Sequence, residues 1–301
     1  MPNKKFVIYI SVITAVVLWG FSFIWTNSLL LQDFPVYSLV FFRMTIAAIL
    51  LSIISFSAKK IEKVHKQDRG WFLLLVLLEP FIYFIGETFG LKIINSPTLG
   101  SIIISTIPIF ALVAGVTFYK ERVTAINIFG ISITLPGILL VVFEGGAIDV
   151  THYTGIILLF IAVFSAVGYS VVVKKLASRY NSYTIVTYQH ILGALYFLPL
   201  FLYNDFSSFT FKSLTSDILM PLFYLSVLCS GVAFILFINS IKILGIARAN
   251  IFTSLVPVVS AFGAYILGHE MMNIRKVAGI VIVVLGVIIA QRQKKTKPEK
   301  L

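Results

Sequence analysis

Cysteine is almost missing from this sequence, since Cys229 is the only one and lies inside an apolar run. A disulfide framework or a thiolate metal site within one chain is therefore excluded. The four histidines, His65, His152, His190 and His269, are scattered along the chain without metal-ligand spacing. The sequence predicts neither a metal site nor another cofactor.

The motifs of several competing activities are also missing. The chain has no phosphate-binding loop, which excludes an ATP-driven pump within it. It has no Gly-x-Ser-x-Gly elbow and no His-Glu-x-x-His pair, so an intramembrane enzyme has no recognisable nucleophile or metal site. A non-transport role, as an intramembrane enzyme or a structural scaffold, remains the alternative to the function argued below.

Charged side chains are scarce, at 12% of the 301 residues against 59% hydrophobic ones, and the mean hydropathy is +1.00. A soluble domain of this length needs far more polar surface, so lipid must surround most of the chain. The formal net charge of +12 does not indicate nucleic-acid binding. The basic residues occupy short segments between apolar runs, where membrane proteins carry orientation signals.

Ten apolar runs are long enough to cross a bilayer, for which a helix needs roughly 20 residues. The first follows Lys4 and Lys5 but is too long for the apolar region of a signal peptide, so we expect it to be a retained helix. The predicted spans are 6–30, 34–57, 71–94, 98–119, 124–143, 153–175, 183–203, 217–241, 247–267 and 273–290.

The basic residues are distributed unequally between the two sides of these spans. If the N-terminus is cytoplasmic, 19 of the 24 Lys and Arg residues fall on the cytoplasmic side and 4 on the other. Arg43 lies well inside a span and is counted on neither side. The positive-inside rule then predicts a multi-pass protein of the inner or plasma membrane with both termini in the cytoplasm.

The second half of the sequence repeats the first. A shift of 149 residues places Pro108 on Pro257 and Glu121 on Glu270, and it places the glycines of 130 and 137 on those of 279 and 286. The earlier spans align with small slips, such as Tyr37 on Tyr183. Five spans per half is an odd number, so the second copy must enter the membrane from the opposite side. Many secondary transporters use such an inverted repeat around a midplane site.

The same segments resemble EamA-type members of the drug/metabolite transporter superfamily. The resemblance rests on Ala15 to Ser22, Phe42 to Ala48, Pro108 and Lys120 to Thr124, and on their weaker counterparts in the second half. It implies an all-α integral membrane fold of ten helices, arranged as two inverted five-helix repeats around a central cavity. The repeats would span 6–144 and 153–291, with a basic cytoplasmic tail at 292–301. It also implies transport of small metabolites, often amino acids and frequently outward.

Three charged residues lie inside the predicted spans: Arg43, Glu79 and Glu87. A charge at mid-depth costs at least ~2.5–3.5 kcal/mol, so such residues normally face a cavity or a partner. Treated as one regular helix, span three places both glutamates and Tyr83 on a single polar stripe. A buried carboxyl can carry a proton, which makes proton coupling one hypothesis. The alternative is an Arg43–Glu salt bridge that only joins two helices.

Other polar and aromatic residues are weaker candidates for substrate contact. Trp19 and Tyr169 lie within spans, where simple packing is the competing interpretation. Gln189 and His190 in span seven could bind substrate or satisfy backbone groups. Pro108 and Pro257 each remove one backbone donor at equivalent positions, so the pair could line the cavity or act as hinges, although ordinary bending is the alternative.

The remaining repeated residues have simpler interpretations. Gly130 and Gly137 share one helix face, as Gly279 and Gly286 do, and close helix packing is the natural use of both pairs. Glu121 and Glu270 are interpreted as solvated residues at helix ends. An arginine near mid-depth favours a substrate with a carboxylate, which makes an amino acid the leading substrate class, with protons as a possible coupling ion. Nothing in the sequence indicates an oligomeric state.

Overall fold

The computed structural model describes residues 4–95, 97–142, 153–207, 209, 214–266 and 273–290. Within these ranges the chain forms helices and turns and contains no strand. The predictions for Glu144, His152, Lys212, His269, Glu270 and the tail 292–301 concern residues outside these ranges. In the described residues the helical runs are α1 (Lys4–Leu30), α2 (Val36–Ser57), α3 (Lys66–Ile94), α4 (Pro97–Ile104 and Ile107–Tyr119), α5 (Ala125–Val142), α6 (Tyr153–Ala177), α7 (Ser182–Asp205), α8 (Ser216–Leu244), α9 (Ile246–Ile266) and α10 (Ile274–Ala290).

Most of these helices are long and apolar enough to cross a bilayer. Seven meet that requirement among the described residues, and shorter apolar helices occur at Ile107–Tyr119, Ala125–Gly137 and Val277–Ala290. The observed ends lie within a few residues of the predicted ones. The largest difference is at the start of α3, where a short 3-10 turn over Lys66–Asp68 precedes the apolar run.

Glycines bring α5 and α10 into close antiparallel contact. A Cβ added to Gly130 would clash with the backbone of Ala290, and one added to Gly137 would lie 2.9 Å from the carbonyl oxygen of Gly279. Similarly, a Cβ on Gly286 would lie 2.9 Å from the carbonyl oxygen of Gly130. The predicted packing role of these glycines is confirmed, because only a hydrogen in place of a side chain permits this separation.

Polar contacts hold α2 against α7, also in antiparallel fashion. Near the start of α2, Ser38 donates its N–H and its hydroxyl to Asp205 Oδ2 at the end of α7, over 2.7 and 2.9 Å. Near the end of α2, the Ser55 hydroxyl lies 3.1 Å from that of Thr187 in the early part of α7. These bonds satisfy polar groups that lie away from water.

Two further antiparallel pairs surround the centre of the molecule. In the α3–α6 pair, a Cβ on Gly90 would lie 2.9 Å from the carbonyl oxygen of Gly155, and the Ser165 hydroxyl donates to the Leu78 carbonyl over 2.6 Å. In the α1–α8 pair, Trp25 packs against Tyr224 at a centroid distance of 5.0 Å. Trp19, which comes earlier in α1 than Trp25, packs against Phe234 and Phe237, which come later in α8 than Tyr224.

Four helices are interrupted. The stretch Leu77–Ile82 of α3 and the stretch Tyr224–Ala233 of α8 have π-helical hydrogen bonding. Helix α4 breaks at Ser105–Thr106, and α9 passes through a 3-10 stretch at Phe252–Leu255. The interruptions of α4 and α9 coincide under the 149-residue shift, which places Ser105 on Ser254.

The contacts of Glu121 correct the interpretation of this residue as a solvated one at a helix end. Its carboxylate is not merely solvated but caps the start of α9, where Ile246 N–H donates to Oε1 over 2.7 Å and Ala247 N–H donates to Oε2 over 2.9 Å. The first N–H groups of a helix have no partner within the helix and attract a negative charge. Gly115 and Gly245 leave room for the carboxylate, because a Cβ on either would lie within 2.7 Å of its oxygens.

Candidate functional site

A cavity lies between the two halves of the chain, at the level of the interrupted helices. It contains about 580 Å³ of empty space, counted to its open mouth. Polar and charged side chains face it within an otherwise apolar interior. The residues that line it are Trp19, Ser22, Phe23, Arg43, Glu79, Tyr83, Phe84, Glu87, Ile104, Ile107, Ala166, Tyr169, Ser170, Phe234, Phe237, Asn250, Thr253 and Val256.

Arg43 is 2% exposed and projects from α2 into this cavity. Its Nε donates to the Ser230 hydroxyl over 2.7 Å, and its Cζ lies 4.2 Å from the centroid of the Phe84 ring. Among the described residues, the ion pair within 4 Å is Arg179–Asp68, and neither Glu79 nor Glu87 pairs with Arg43 at that distance. The alternative role of Arg43, as half of a salt bridge between helices, therefore does not apply to this conformation.

Glu79, Tyr83 and Glu87 line the cavity from α3. The Tyr83 hydroxyl donates to Glu87 Oε1 over 3.2 Å. Glu87 Oε2 is buried, and no described residue lies within hydrogen-bonding distance of it. A buried acceptor without a partner is costly. The site therefore offers an acceptor that a bound group with an N–H or O–H could satisfy.

Helix α3 does not continue regularly through this site. Glu79 has extended backbone angles (φ −144°, ψ 115°) within the π-helical stretch. The prediction of one regular helical stripe was therefore wrong in its geometry, although the three side chains do share the cavity. The carbonyls released by the break accept hydrogen bonds from neighbouring helices. Ser165 donates to that of Leu78 over 2.6 Å, and Gln189 Nε2 donates to that of Glu79 over 3.2 Å.

Trp19 and Tyr169 reach the cavity from α1 and α6. Trp19 Nε1 donates to the Cys229 carbonyl over 3.2 Å, and its ring packs edge-on against Phe237 at 4.7 Å. The Tyr169 hydroxyl donates to Gln189 Oε1 over 3.1 Å. Both side chains are thus held by packing and hydrogen bonding while one surface faces the cavity.

Gln189 and His190 lie behind the cavity rather than on its wall. Both are 1% exposed. Gln189 bridges Tyr169 and the Glu79 carbonyl, whereas His190 Nδ1 lies 2.8 Å from the Val186 carbonyl oxygen. Gln189 therefore supports two cavity-lining residues, and direct contact of either side chain with a substrate stays a prediction.

Pro108 and Pro257 also lie just outside the cavity wall. Each adjoins a lining residue, Ile107 in α4 and Val256 in α9. Each follows the interruption of its helix, at Ser105–Thr106 or at Phe252–Leu255. Both helices line the cavity at their interruptions. The hinge function of the prolines stays a prediction.

Several cavity residues were not singled out by the sequence. Asn250 Nδ2 donates to the Ser170 hydroxyl over 3.2 Å, which joins α9 to α6 at the cavity. Ser230 and Phe84 hold Arg43. An asparagine in an apolar span is a weak signal that could have identified Asn250. Ser230 and Phe84 could not be identified from the sequence as contacts of Arg43, because serine and phenylalanine are ordinary residue types in such spans.

Charged residues that face a cavity among apolar helices are typical of the substrate or ion pathway of a membrane transporter. The sequence matches the EamA-like transporter family over residues 6–143 and 153–291. The chain belongs to this family. It is a multi-pass membrane protein, and a small-molecule substrate is the ligand expected of a transporter.

Individual relatives are similar along nearly the whole chain. An uncharacterized transporter of Archaeoglobus fulgidus is 26% identical over 97% of this chain and 100% of its own length. The uncharacterized transporter YetK of Bacillus subtilis is 23% identical over 98% of this chain and 90% of its own length. One solved crystal structure superposes with a TM-score of 0.78 at 15% identity, covering 94% of this chain and 97% of the other. That similarity supports the fold alone.

Proposed function

We propose that this protein is a secondary transporter that exports small organic metabolites of the amino-acid type by alternating access. The observation that carries the proposal is the buried guanidinium of Arg43, which faces a cavity without a carboxylate partner within 4 Å among the described residues. A buried charge without a counter-ion is costly and calls for an anionic ligand. A substrate carboxylate would fit it, since arginine binds carboxylates through two parallel hydrogen bonds.

The two glutamates add carboxyl groups to the cavity that Arg43 faces. Glu87 Oε2 lacks a partner among the described residues, and Glu79, earlier in α3, lines the same cavity. A substrate amino group would donate to these carboxylates. In the absence of substrate, a proton would take its place, so that export of the substrate and entry of protons use the same groups.

Ten transmembrane helices in two inverted repeats would provide the movement. The pairs α2–α7 and α5–α10 each join a helix to its equivalent in the other half. The pair α3–α6 is equivalent to α8–α1. All four are antiparallel, as expected if the halves enter the membrane from opposite sides. The interruptions of α4 and α9, each followed by a proline, would serve as hinges.

The orientation follows from charge. We place both termini in the cytoplasm and the protein in the inner or plasma membrane, because 19 of the 24 basic residues then lie on the cytoplasmic side. The repeats would comprise residues 6–144 and 153–291, followed by the cytoplasmic tail 292–301.

The test is substrate flux across a defined membrane. The purified protein in proteoliposomes should move labelled amino acids down their gradient without nucleotide, and an opposing proton gradient should drive their accumulation. A panel of labelled metabolites would then identify the substrate. A protein that converts a bound metabolite without moving it would be an intramembrane enzyme. Proteoliposomes with no flux for any member of the panel would favour a scaffold.

A further inference from the structure

A second cavity opens at the end of the molecule where α4 and α8 finish and α9 begins. It contains about 850 Å³ of empty space, counted to its open mouth. Three basic side chains line it, namely Arg122, Lys174 and Arg248, together with the carboxylate of Glu121. The proposed orientation places it on the cytoplasmic face. It is separate from the central cavity, with which it shares no lining residue.

The carboxylate of Glu121 in this wall pairs with neither Arg122 nor Lys174. Both oxygens of Glu121 accept hydrogen bonds from the first N–H groups of α9, over 2.7 and 2.9 Å. Among the described residues, no carboxylate lies within 4 Å of Arg122 or Lys174. The charge of Glu121 is directed to the start of α9, so that Arg122 and Lys174 present positive charge that no described carboxylate pairs with.

Lys174 and Arg122 present N–H donors to the cavity. Lys174 is half-buried and uses Nζ to donate to the Ile241 and Lys242 carbonyls at the end of α8, over 3.1 and 3.4 Å. An ammonium group has three N–H donors, so one remains for a ligand. Arg122 is exposed at the rim and carries the planar fork that suits phosphate oxygens.

The rest of the wall and the adjoining surface are apolar. Leu112 and Ile251 line the cavity, and Ile243 at its edge is 62% exposed. On α4 the side chains of Val116 and Phe118 are 43% and 67% exposed. In a bilayer these side chains face lipid tails. A ligand seated here would therefore have a charged end among the cations and an apolar part along α4.

We propose that this cavity binds the phosphate of an anionic phospholipid, with its headgroup between Arg122, Lys174 and Arg248 and its acyl chains along α4. Basic pockets between transmembrane helices on the cytoplasmic side suit such headgroups. The bound lipid bridges the end of α4, the end of α8 and the start of α9, which belong to different halves of the chain. This binding goes beyond transport and does not depend on the identity of the substrate.

The test compares lipid binding to two variants of equal charge. The purified full-length protein in detergent is titrated with phosphatidylglycerol or phosphatidylcholine, and bound lipid is measured by native mass spectrometry. The first variant replaces Arg122, Lys174 and Arg248 with glutamine. The matched control replaces Lys63, Lys66 and Arg69 with glutamine, three exposed cations on the same face. We expect phosphatidylglycerol to bind in preference to phosphatidylcholine, and the first variant to lose at least about tenfold in affinity while the control stays close to wild type.

Two further measurements keep the result interpretable. Because Lys174 supports the end of α8, the exposed Arg122→Gln substitution is also tested alone, and thermal unfolding confirms that each variant is folded. Equal binding by wild type and the first variant, or equal loss in both variants, would overturn the site. Titration with inorganic phosphate separates the two sources of the anion. If phosphate binds at the same residues and displaces phosphatidylglycerol completely, a free phosphate is the ligand and the lipid assignment is wrong.

Discussion

At the scale of single residues, Arg43 has unusual surroundings for a buried cation. A hydroxyl, an aromatic ring and a cavity surround its guanidinium, and no described carboxylate lies within 4 Å. If Arg43 were half of a buried salt bridge, its removal would cost about 3–5 kcal/mol of stability. Since no carboxylate pairs with it at that distance among the described residues, we expect its replacement by an apolar residue to relieve a desolvation cost.

The first prediction follows from these surroundings. The substitution Arg43→Met should leave the thermal unfolding temperature in detergent unchanged or raised, and it should lower substrate flux in proteoliposomes at least about tenfold. Arg43→Lys serves as the control, because it keeps the charge but loses the two-pronged geometry, and we expect an intermediate flux. A strongly destabilised Arg43→Met variant that still transports would contradict the proposed role.

The second prediction separates the two glutamates. Glu79→Gln should abolish the dependence of flux on the proton gradient, because a glutamine keeps the size of the side chain but cannot exchange a proton. Glu87→Gln should mainly weaken substrate binding, because the amide still occupies the space and donates where an acceptor is needed. The measurement is initial flux against substrate concentration, with and without an imposed pH gradient. Full flux with unchanged gradient dependence in Glu79→Gln would refute proton coupling through this residue.

The sequence predicts the members of the central site better than their arrangement. Arg43, Glu79 and Glu87 stand out because a charge in an apolar span requires a cavity or a partner. The contacts of Arg43 with Ser230 could not be predicted, since they join residues 187 positions apart. For Gln189 the sequence left two roles open, substrate contact or satisfying backbone groups. Its hydrogen bond to the Glu79 carbonyl corresponds to the second, and substrate contact stays a prediction. Pro80, which directly follows Glu79, indicates an interruption there, but the partners of the freed carbonyls cannot be predicted from it.

At the scale of helices, a carboxylate from one half of the chain completes a helix in the other half. Glu121 caps α9 through two backbone N–H groups. We expect Glu121→Ala to destabilise the protein by about 0.5–2 kcal/mol, the usual cost of losing a helix cap. Thermal unfolding in detergent measures the effect. The control is Asp217→Ala, which removes an exposed carboxylate from the first turn of α8 that makes no capping hydrogen bond. Equal losses in both variants would mean that the cap is unimportant.

The glycine contact between α5 and α10 leads to a fourth prediction. In Gly130→Ala the added methyl group would meet the Ala290 backbone, which cannot rotate away as a side chain could. We expect a loss of about 1–3 kcal/mol, the usual cost of overpacking. Gly70→Ala is the matched control, because no atom lies within 4 Å of its added Cβ. Thermal unfolding of the two variants gives the comparison, and an unaffected Gly130→Ala would show that the helices can separate without cost.

Helix ends and the interruptions next to prolines could be predicted from the sequence, whereas the π-helical hydrogen bonding could not. The ends follow the polar segments that separate apolar runs of about 20 residues, since bilayer thickness fixes that length. Of the two π-helical stretches, Leu77–Ile82 contains Pro80, which marks an interruption. Tyr224–Ala233 contains no proline, and its altered hydrogen bonding depends on contacts with other helices. The proline-associated interruptions of α4 and α9 were expected, because a proline removes a backbone donor wherever it stands.

At the scale of the whole molecule, the inverted repeat makes a prediction that two halves of the same orientation would not make. The register that places Tyr37 on Tyr183 also places Gln32 on Ser178. Both are exposed, at the end of α1 and just after α6. If the halves are inverted, these equivalent positions lie on opposite sides of the membrane. The charge distribution further assigns Gln32 to the outside and Ser178 to the cytoplasm.

Cysteine labelling tests both statements in one experiment. The only native cysteine, Cys229, is 0% exposed and gives a low background. A membrane-impermeant maleimide should label Gln32→Cys in intact cells, and it should label Ser178→Cys only after permeabilisation. If both positions react from the same side, the two halves share one orientation and alternating access by inversion fails. If the two positions react from sides opposite to those expected, the inversion stands and only the assignment of the cytoplasmic face is wrong. The basic cavity at Arg122 would then face the outside.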